Sequence, residues 1–310
     1  MTNFKPFTYP WAYDAWLKSE QMHWLHTEVP LNEDLKDFNL KLTETEKQFL
    51  THLFRFFTQA DLDVAGAYVK GYLPYYSQPE LRMMLSSFSA REALHVAAYS
   101  HLIETLGLPE TTYNEFMQYQ AMVDKHTFFE SIGYDNDPLI KLAVFSAFSE
   151  GMQLFSSFVM LLNFSRHGKM RGMSQIITWS IMDETLHTES MIKLFREEAR
   201  NRIVSDETKG AIYSAASKMV ELEDAFIDLA FGVNEMENLT SEQVKKYIRY
   251  IADRRLIAMG MKGIFGVKRN PLPWVAEMIN APIHGNFFEN KVTDYAKGSI
   301  KGDWGEIWAS

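Results

Sequence analysis

Apolar residues recur at three- and four-residue intervals from about residue 43 to residue 266, the period of helices that bury one face. The rhythm breaks where Pro, Gly and Asn cluster, at GYLPYYSQPE (71–80), GLPETTYNE (107–115), GYDNDPL (133–139), RHGKMRG (166–172) and VSDETKG (204–210). That punctuation predicts six or seven long helices joined by short loops. Helix-start signals agree: Thr43 with Glu46 ahead of KQFLTHLFRFF, and Ser205 with Glu207 in the following turn. No alternating pattern of useful length predicts a strand. The expected architecture is an all-α bundle, one domain over residues 1–285 whose first 40 residues or so form an extended segment. A polar, Gly-containing, flexible tail follows over 286–310, although Tyr295, Trp304 and Trp308 are unusual for a solvated end.

Composition narrows the function. The net charge of −9, with no Lys/Arg run, is the wrong sign for a protein that tracks phosphates, so nucleic acid is not an expected partner. The absence of cysteine removes disulfides, thiolate ligands and thiol catalysis from this chain. MTNFKPFTYPWAYDAW lacks the layout of a secretory signal, and the apolar run FVMLLNF (158–164) is too short to cross a bilayer. A soluble, cytoplasmic protein is expected.

Candidate chemistry enters with SAREALHVAAYSHLIETLG (89–107), which sets Glu92 and His95 three apart, on one helical face, among alanines and leucines. With 40 acidic residues and 9 histidines in 310, chance alone supplies about one acid-x-x-His pair. The chain has three: Glu20/His23, Glu92/His95 and Glu184/His187. The first lies in an aromatic segment with no acid upstream and reads as surface or packing. The other two are each preceded by a carboxylate, Asp61 and Glu150, 31 and 34 residues earlier. Periodicity selects Asp61 over Asp63, because Asp61 shares its face with Phe57, Val64 and Tyr68, whereas Asp63 lines up with Gln59 and Lys70. Four carboxylates and two imidazoles on apolar faces would be costly unpaired, and these faces carry no basic residues. Two divalent ions shared among six such ligands in a four-helix core remove the cost.

Asp61, Glu92-x-x-His95, Tyr99, Glu150 and Asp183-Glu184-x-x-His187, in this order and spacing, resemble the small (beta) subunit of class I ribonucleotide reductase, whose fold is ferritin-like. The similarity runs from Trp24 to Tyr295. It implies that Asp61, Glu92, His95, Glu150, Glu184 and His187 bind a dinuclear metal centre, di-iron first, with dimanganese or manganese–iron as alternatives. It implies that this centre reacts with oxygen and leaves a stable radical on Tyr99, shielded by Leu154 and Phe158. Trp24, Asp183 and His95 match the family's route for the oxidising equivalent out of the core. The stretch WLHTEVPLNEDLKD departs from the family's Trp-Pro-x-Glu pattern at Leu25 and His26.

In ENKVTDYAKGS (289–299), Tyr295 matches the tyrosine that relays the radical to the large (alpha) subunit, with Glu289 as its proton-handling partner. The tail would dock on that subunit, using Trp304 and Trp308, and the small subunit would be a homodimer. Lacking cysteine, this chain would deliver the oxidising equivalent while ribonucleotides are reduced to deoxyribonucleotides on the large subunit. Two alternatives share the ligand pattern: a related ligand-binding or other dimetal oxidase, and a ferritin-like iron store.

Overall fold

The computed structural model describes residues 3–279 except 114, 134, 135 and 234. Its helices are α1 (Pro10–Gln21), α2 (Asn32–Leu40), α3 (Glu44–Gly66), α4 (Pro79–Thr105), α5 (Gln120–Ser131), α6 (Pro138–Lys141), α7 (Leu154–Arg166), α8 (Arg171–Arg200), α9 (Asp206–Val233) and α10 (Ser241–Ala258). Two π-helical stretches interrupt the α pattern. Ala67–Tyr72 prolongs α3, and Leu142–Gln153 joins α6 to α7 in one continuous helix. No strand occurs among the described residues, only an isolated bridge between Met236 and Leu239. The all-α expectation holds.

The helix starts follow the local chemistry. Thr43 and Glu46 form a capping box at α3, and Ser205 Oγ accepts from the Thr208 N–H ahead of α9. Sequence reading passed over the break between α9 and α10. Its signal is a second capping box, Thr240 with Gln243, which starts α10. A further correction concerns the N-terminus, where α1 and α2 occupy the segment expected to be extended. Both are short and rich in aromatic or acidic residues, so their apolar period is weak. Tertiary contact makes up for it: α1 packs on α4 and α8, and α2 on α8.

The core is formed by α3, α4, the π-helical stretch with α7, and α8, which pack on one another. The continuous helix Pro138–Arg166 is long and apolar enough to span a membrane, with a mean hydropathy of 1.2 over its most apolar window, and that window is wholly buried in the fold. The expectation that no segment reaches that length fails because it counted only the uninterrupted run at 158–164. The observed helix is a core helix, apolar all round because it is surrounded.

By its packing the chain divides into two units, Met1–Pro271 and Leu272–Ser310. The first holds every helix named above. The second is helical over 273–279 within its described part. The boundary expected at 285/286 and the whole tail lie outside the described residues.

The start of α8, which carries three of the functional residues, is held by α2. Asp34 accepts the Gly172 and Met173 N–H groups at 2.8 Å each, and Asp37 accepts that of Met170 at 2.9 Å. Glycine is required at 172, since a Cβ there would lie 2.7 Å from Asp34 Oδ2 and 3.0 Å from the Pro30 carbonyl. Asp34 thus supplies a helix cap from a distant element. Asp34→Ala is expected to cost about 1–2 kcal/mol of stability, read by denaturant or thermal unfolding; an unchanged midpoint would contradict the capping role.

Candidate metal centre

The helical period delivers six ligand-type side chains to one point. Asp61 comes from α3, Glu92 and His95 from α4, Glu150 from the π-helical stretch, and Glu184 and His187 from α8. All six are 0–1% exposed. They form two groups able to hold an ion each, Asp61/Glu92/His95 and Glu92/Glu150/Glu184/His187.

Glu92 lies between the two histidines, with Oε2 at 3.5 Å from His95 Nδ1 and Oε1 at 3.0 Å from His187 Nδ1. Glu184 lies between them too, at 3.2 and 3.6 Å. Asp61 and Glu150 stand at opposite ends. Glu150 Oε2 is 3.3 Å from His187 Nδ1. Glu92 is the carboxylate common to the two groups that could each hold an ion.

The fit to metal ions rests on the atoms left without hydrogen bonds. Asp61 Oδ2, both oxygens of Glu92, both oxygens of Glu184 and His187 Nδ1 are buried without a hydrogen-bond partner. Two donors at right angles about an ion some 2.1 Å away lie about 3 Å apart, close to the separations seen. Every ion-pair partner of these carboxylates among the described residues is a histidine. Elsewhere the same fold neutralises a buried acid conventionally: Glu223 has Lys125 Nζ at 2.7 Å and accepts from Ser156. The contrast shows a buried acidic cluster that could hold metal ions. Its oxygen and nitrogen donors, without sulfur, suit iron or manganese.

Without ions the cluster relieves its charge with protons. Burial raises the Asp61 carboxyl well above its usual range. Burial, reinforced by Glu184 and Glu92 and opposed by His187, pushes Glu150 up to about 8. Burial also acts on Glu92, yet the two histidines outweigh it and hold Glu92 low. Both imidazoles are raised despite their burial, by Asp183, Glu184 and Glu92 at His95 and by Glu150, Glu184 and Glu92 at His187.

Around the ligands, Asp183 Oδ2 faces His95 Nε2 at 3.2 Å and accepts from Trp24 Nε1 at 2.9 Å. This fixes the proton of neutral His95 on Nε2 and turns Nδ1 toward the carboxylates. The Trp24 ring stacks on His95 at 5.9 Å and 19°. Trp24 is therefore beside the cluster and buried, whereas His23 of the discounted pair is exposed. Tyr99 is buried one turn beyond His95 and donates to Ser180 Oγ at 3.3 Å. Its ring stacks on Phe57 at 4.6 Å, and Phe57 stacks in turn on Phe158 at 5.2 Å. Phe57 is thus the immediate ring contact and Phe158 lies behind it. Leu154 is buried at the start of α7.

Sequence reading missed several neighbours. Tyr68 donates to Glu150, at 2.9 and 2.8 Å from its two oxygens. Ser180 and Phe57 flank Tyr99. Arg255 Nε donates to the Gly151 carbonyl at 2.9 Å, and a Cβ at 151 would meet Arg255 Nε and Thr188 Cγ2 at 2.8 Å. The glycine after Glu150 was the available signal for that close approach. Glu289, Tyr295, Trp304 and Trp308 lie outside the described residues.

The family model described as ribonucleotide reductase, small chain, matches residues 1–271. The chain belongs to the ribonucleotide reductase small-chain family. "Probable ribonucleoside-diphosphate reductase small subunit 048L" of Invertebrate iridescent virus 3 is 52% identical over 98% of this chain and 86% of its own length. The ribonucleoside-diphosphate reductase subunit beta of Chlamydia pneumoniae is 30% identical over 94% of this chain and 88% of its own. In fold, the dimanganese(II)-NrdF of Streptococcus sanguinis matches with a TM-score of 0.79 at 22% identity, covering 90% of this chain and 99% of that one.

A ribonucleotide reductase small chain is an oxidoreductase subunit that works with a large subunit, and the family's centre is dinuclear. Membership sets aside the iron-store and separate-oxidase alternatives. Because ions bind the deprotonated ligands while the metal-free cluster holds protons, loading a small chain of this kind must release protons. The raised groups are protonated below their shifted values, so apparent metal affinity is expected to rise with pH, including through the range near 8 where Glu150 ionises. Calorimetric titration with Mn(II) in buffers of different ionisation enthalpy reads this directly; a proton count of zero at pH 7 would contradict it.

Proposed function

We propose that this small chain uses a dinuclear centre held by Asp61, Glu92, His95, Glu150, Glu184 and His187 to oxidise Tyr99, and passes the oxidising equivalent to the large subunit. Iron in both positions is the proposed occupant. Manganese in one or both is the alternative that the same donors accept. Two such ions, once loaded, supply the oxidising power when oxygen is present.

The observation that carries this reading is Tyr99 itself, a buried phenol one turn from a ligand histidine. Burial and the nearby Asp61 raise its pKa, so the phenol keeps its proton until it loses an electron. Phe57 and Phe158 keep water from the ring. One weak hydrogen bond, to Ser180, leaves the oxygen little else to react with. The Trp24–Asp183–His95 contacts supply a continuous bonded route from the cluster to a second aromatic ring. Tyr295 and Glu289 are proposed to continue that route through the tail, with Trp304 and Trp308 holding the tail on the large subunit. A homodimer acting in the cytoplasm completes the proposal.

Electron paramagnetic resonance on the natively metallated protein, paired with turnover of a nucleoside diphosphate in the presence of the large subunit, tests these roles. Wild type should show a tyrosyl signal that Tyr99→Phe abolishes together with turnover. Trp24→Phe should keep the signal and lose turnover. A metal-centred signal that survives in Tyr99→Phe, with activity, would contradict the role of Tyr99.

A further inference from the structure

The two halves of the cluster are oriented by different means. His95 has its outer nitrogen tied to Asp183, the usual device for fixing a ligand imidazole. Among the described residues His187 has no such tie: Nε2 is buried without a hydrogen-bond partner, and the ring packs against Phe88 at 4.2 Å and edge-on to Tyr68 at 6.1 Å. The carboxylates are just as uneven. Neither oxygen of Glu92 or Glu184 has a hydrogen-bond donor, whereas both oxygens of Glu150 lie within reach of the Tyr68 hydroxyl.

Tyr68 is fully buried, and its position is itself braced. It lies in the π-helical stretch Ala67–Tyr72, facing the π-helical stretch that carries Glu150. One turn on, Tyr72 Oη is 3.0 Å from the Lys141 carbonyl and 3.0 Å from Ser146 Oγ, while Lys141 Nζ donates back to the Gly71 carbonyl at 3.1 Å. One turn beyond the Tyr68–Glu150 contact, the two irregular stretches are thus bonded again through Tyr72 and Ser146, with Lys141 of α6 alongside. A π-helical turn sets side chains at an angle that an α-helix would not, and here the bracing fixes that angle for donor and acceptor together.

We propose that Tyr68 is a positioning residue for the Glu150 end of the centre: its single O–H, shared between the two oxygens, holds the carboxylate so that only part of it is offered to an ion. It does for the Glu150–His187 half what Asp183 does for the His95 half. This rests on Glu150 being a ligand, as proposed above. Because one phenolic proton cannot satisfy both oxygens at once, the carboxylate keeps acceptor capacity for the ion while losing its freedom to rotate.

The test compares wild type, Tyr68→Phe and Tyr72→Phe by Mn(II) binding isotherms and by the electron paramagnetic resonance spectrum of the Mn(II)-loaded protein. Both variants keep the buried ring, and each loses one hydroxyl. Removing an outer-shell partner of a ligand typically costs 10–100-fold in metal affinity, so Tyr68→Phe should weaken one of two Mn(II) sites by about 10-fold and alter the spectrum of the coupled pair. Tyr72→Phe, which keeps the Tyr68 hydroxyl and removes only part of its bracing, should lower the unfolding midpoint and change affinity and spectrum clearly less than Tyr68→Phe does. Wild-type affinity and spectrum in Tyr68→Phe would overturn the proposal. So would an equal change in both variants, which would mean that the π-helical stretches had merely loosened. If wild type bound no Mn(II) pair, the reading of Glu150 as a ligand would fail instead.

Discussion

Four buried carboxylates cluster in this bundle with two imidazoles and, among the described residues, no lysine or arginine paired with them. Leaving ionised groups buried and unpaired costs several kcal/mol each, and nearby like charges add to that cost. The protein can answer in one of two ways, by holding protons on the cluster or by binding cations. The raised affinity of Asp61, Glu150, His95 and His187 for protons describes the first state. The orphaned oxygens of Glu92 and Glu184 point to the second. Lys125 beside Glu223 shows that the same fold can bury an acid with a fixed cation where no ion is needed.

The surrounding structure bears the strain of this arrangement. Ligands come from separate helices, so each helix has to be locked in rotation and in height. The α8 start is capped from α2, the two π-helical stretches are bonded to each other, and Arg255 of α10 holds the carbonyl beside Glu150. The helix Pro138–Arg166, whose most apolar window is wholly buried, anchors the Glu150 side by apolar packing. Function follows from the same economy. In the proposed reading, ions held by the cluster would lie near Tyr99 and, through His95 and Asp183, be linked to Trp24.

Much of this was legible in the residues. The i, i+3 spacing of Glu92/His95 and Glu184/His187 is set by helix geometry alone, and the apolar neighbours of Asp61 distinguished it from Asp63, which in the fold pairs with His126 near the surface. Trp24 and Asp183 could be named from a family likeness, but their contact is a tertiary fact that no local pattern carries. Tyr68, in the π-helical stretch that prolongs α3, shares the inward face of Asp61 and looks like packing until its hydroxyl is seen at Glu150. The π-helical turns left no mark, because one residue of extra winding is decided by partners such as Tyr72 and Lys141. Helices α1 and α2 escaped because their stability comes from α4 and α8 and not from their own period.

The central claim is that two ions, and not protons or fixed cations, complete the buried cluster. Equilibrium dialysis of the metal-stripped protein against Fe(II) without oxygen, followed by metal analysis of the bound fraction, measures it most directly. Two ions per chain are predicted for wild type, falling below two in Glu92→Gln, which removes the carboxylate common to both groups. A stoichiometry of zero, or binding that Glu92→Gln leaves unchanged, would contradict the account.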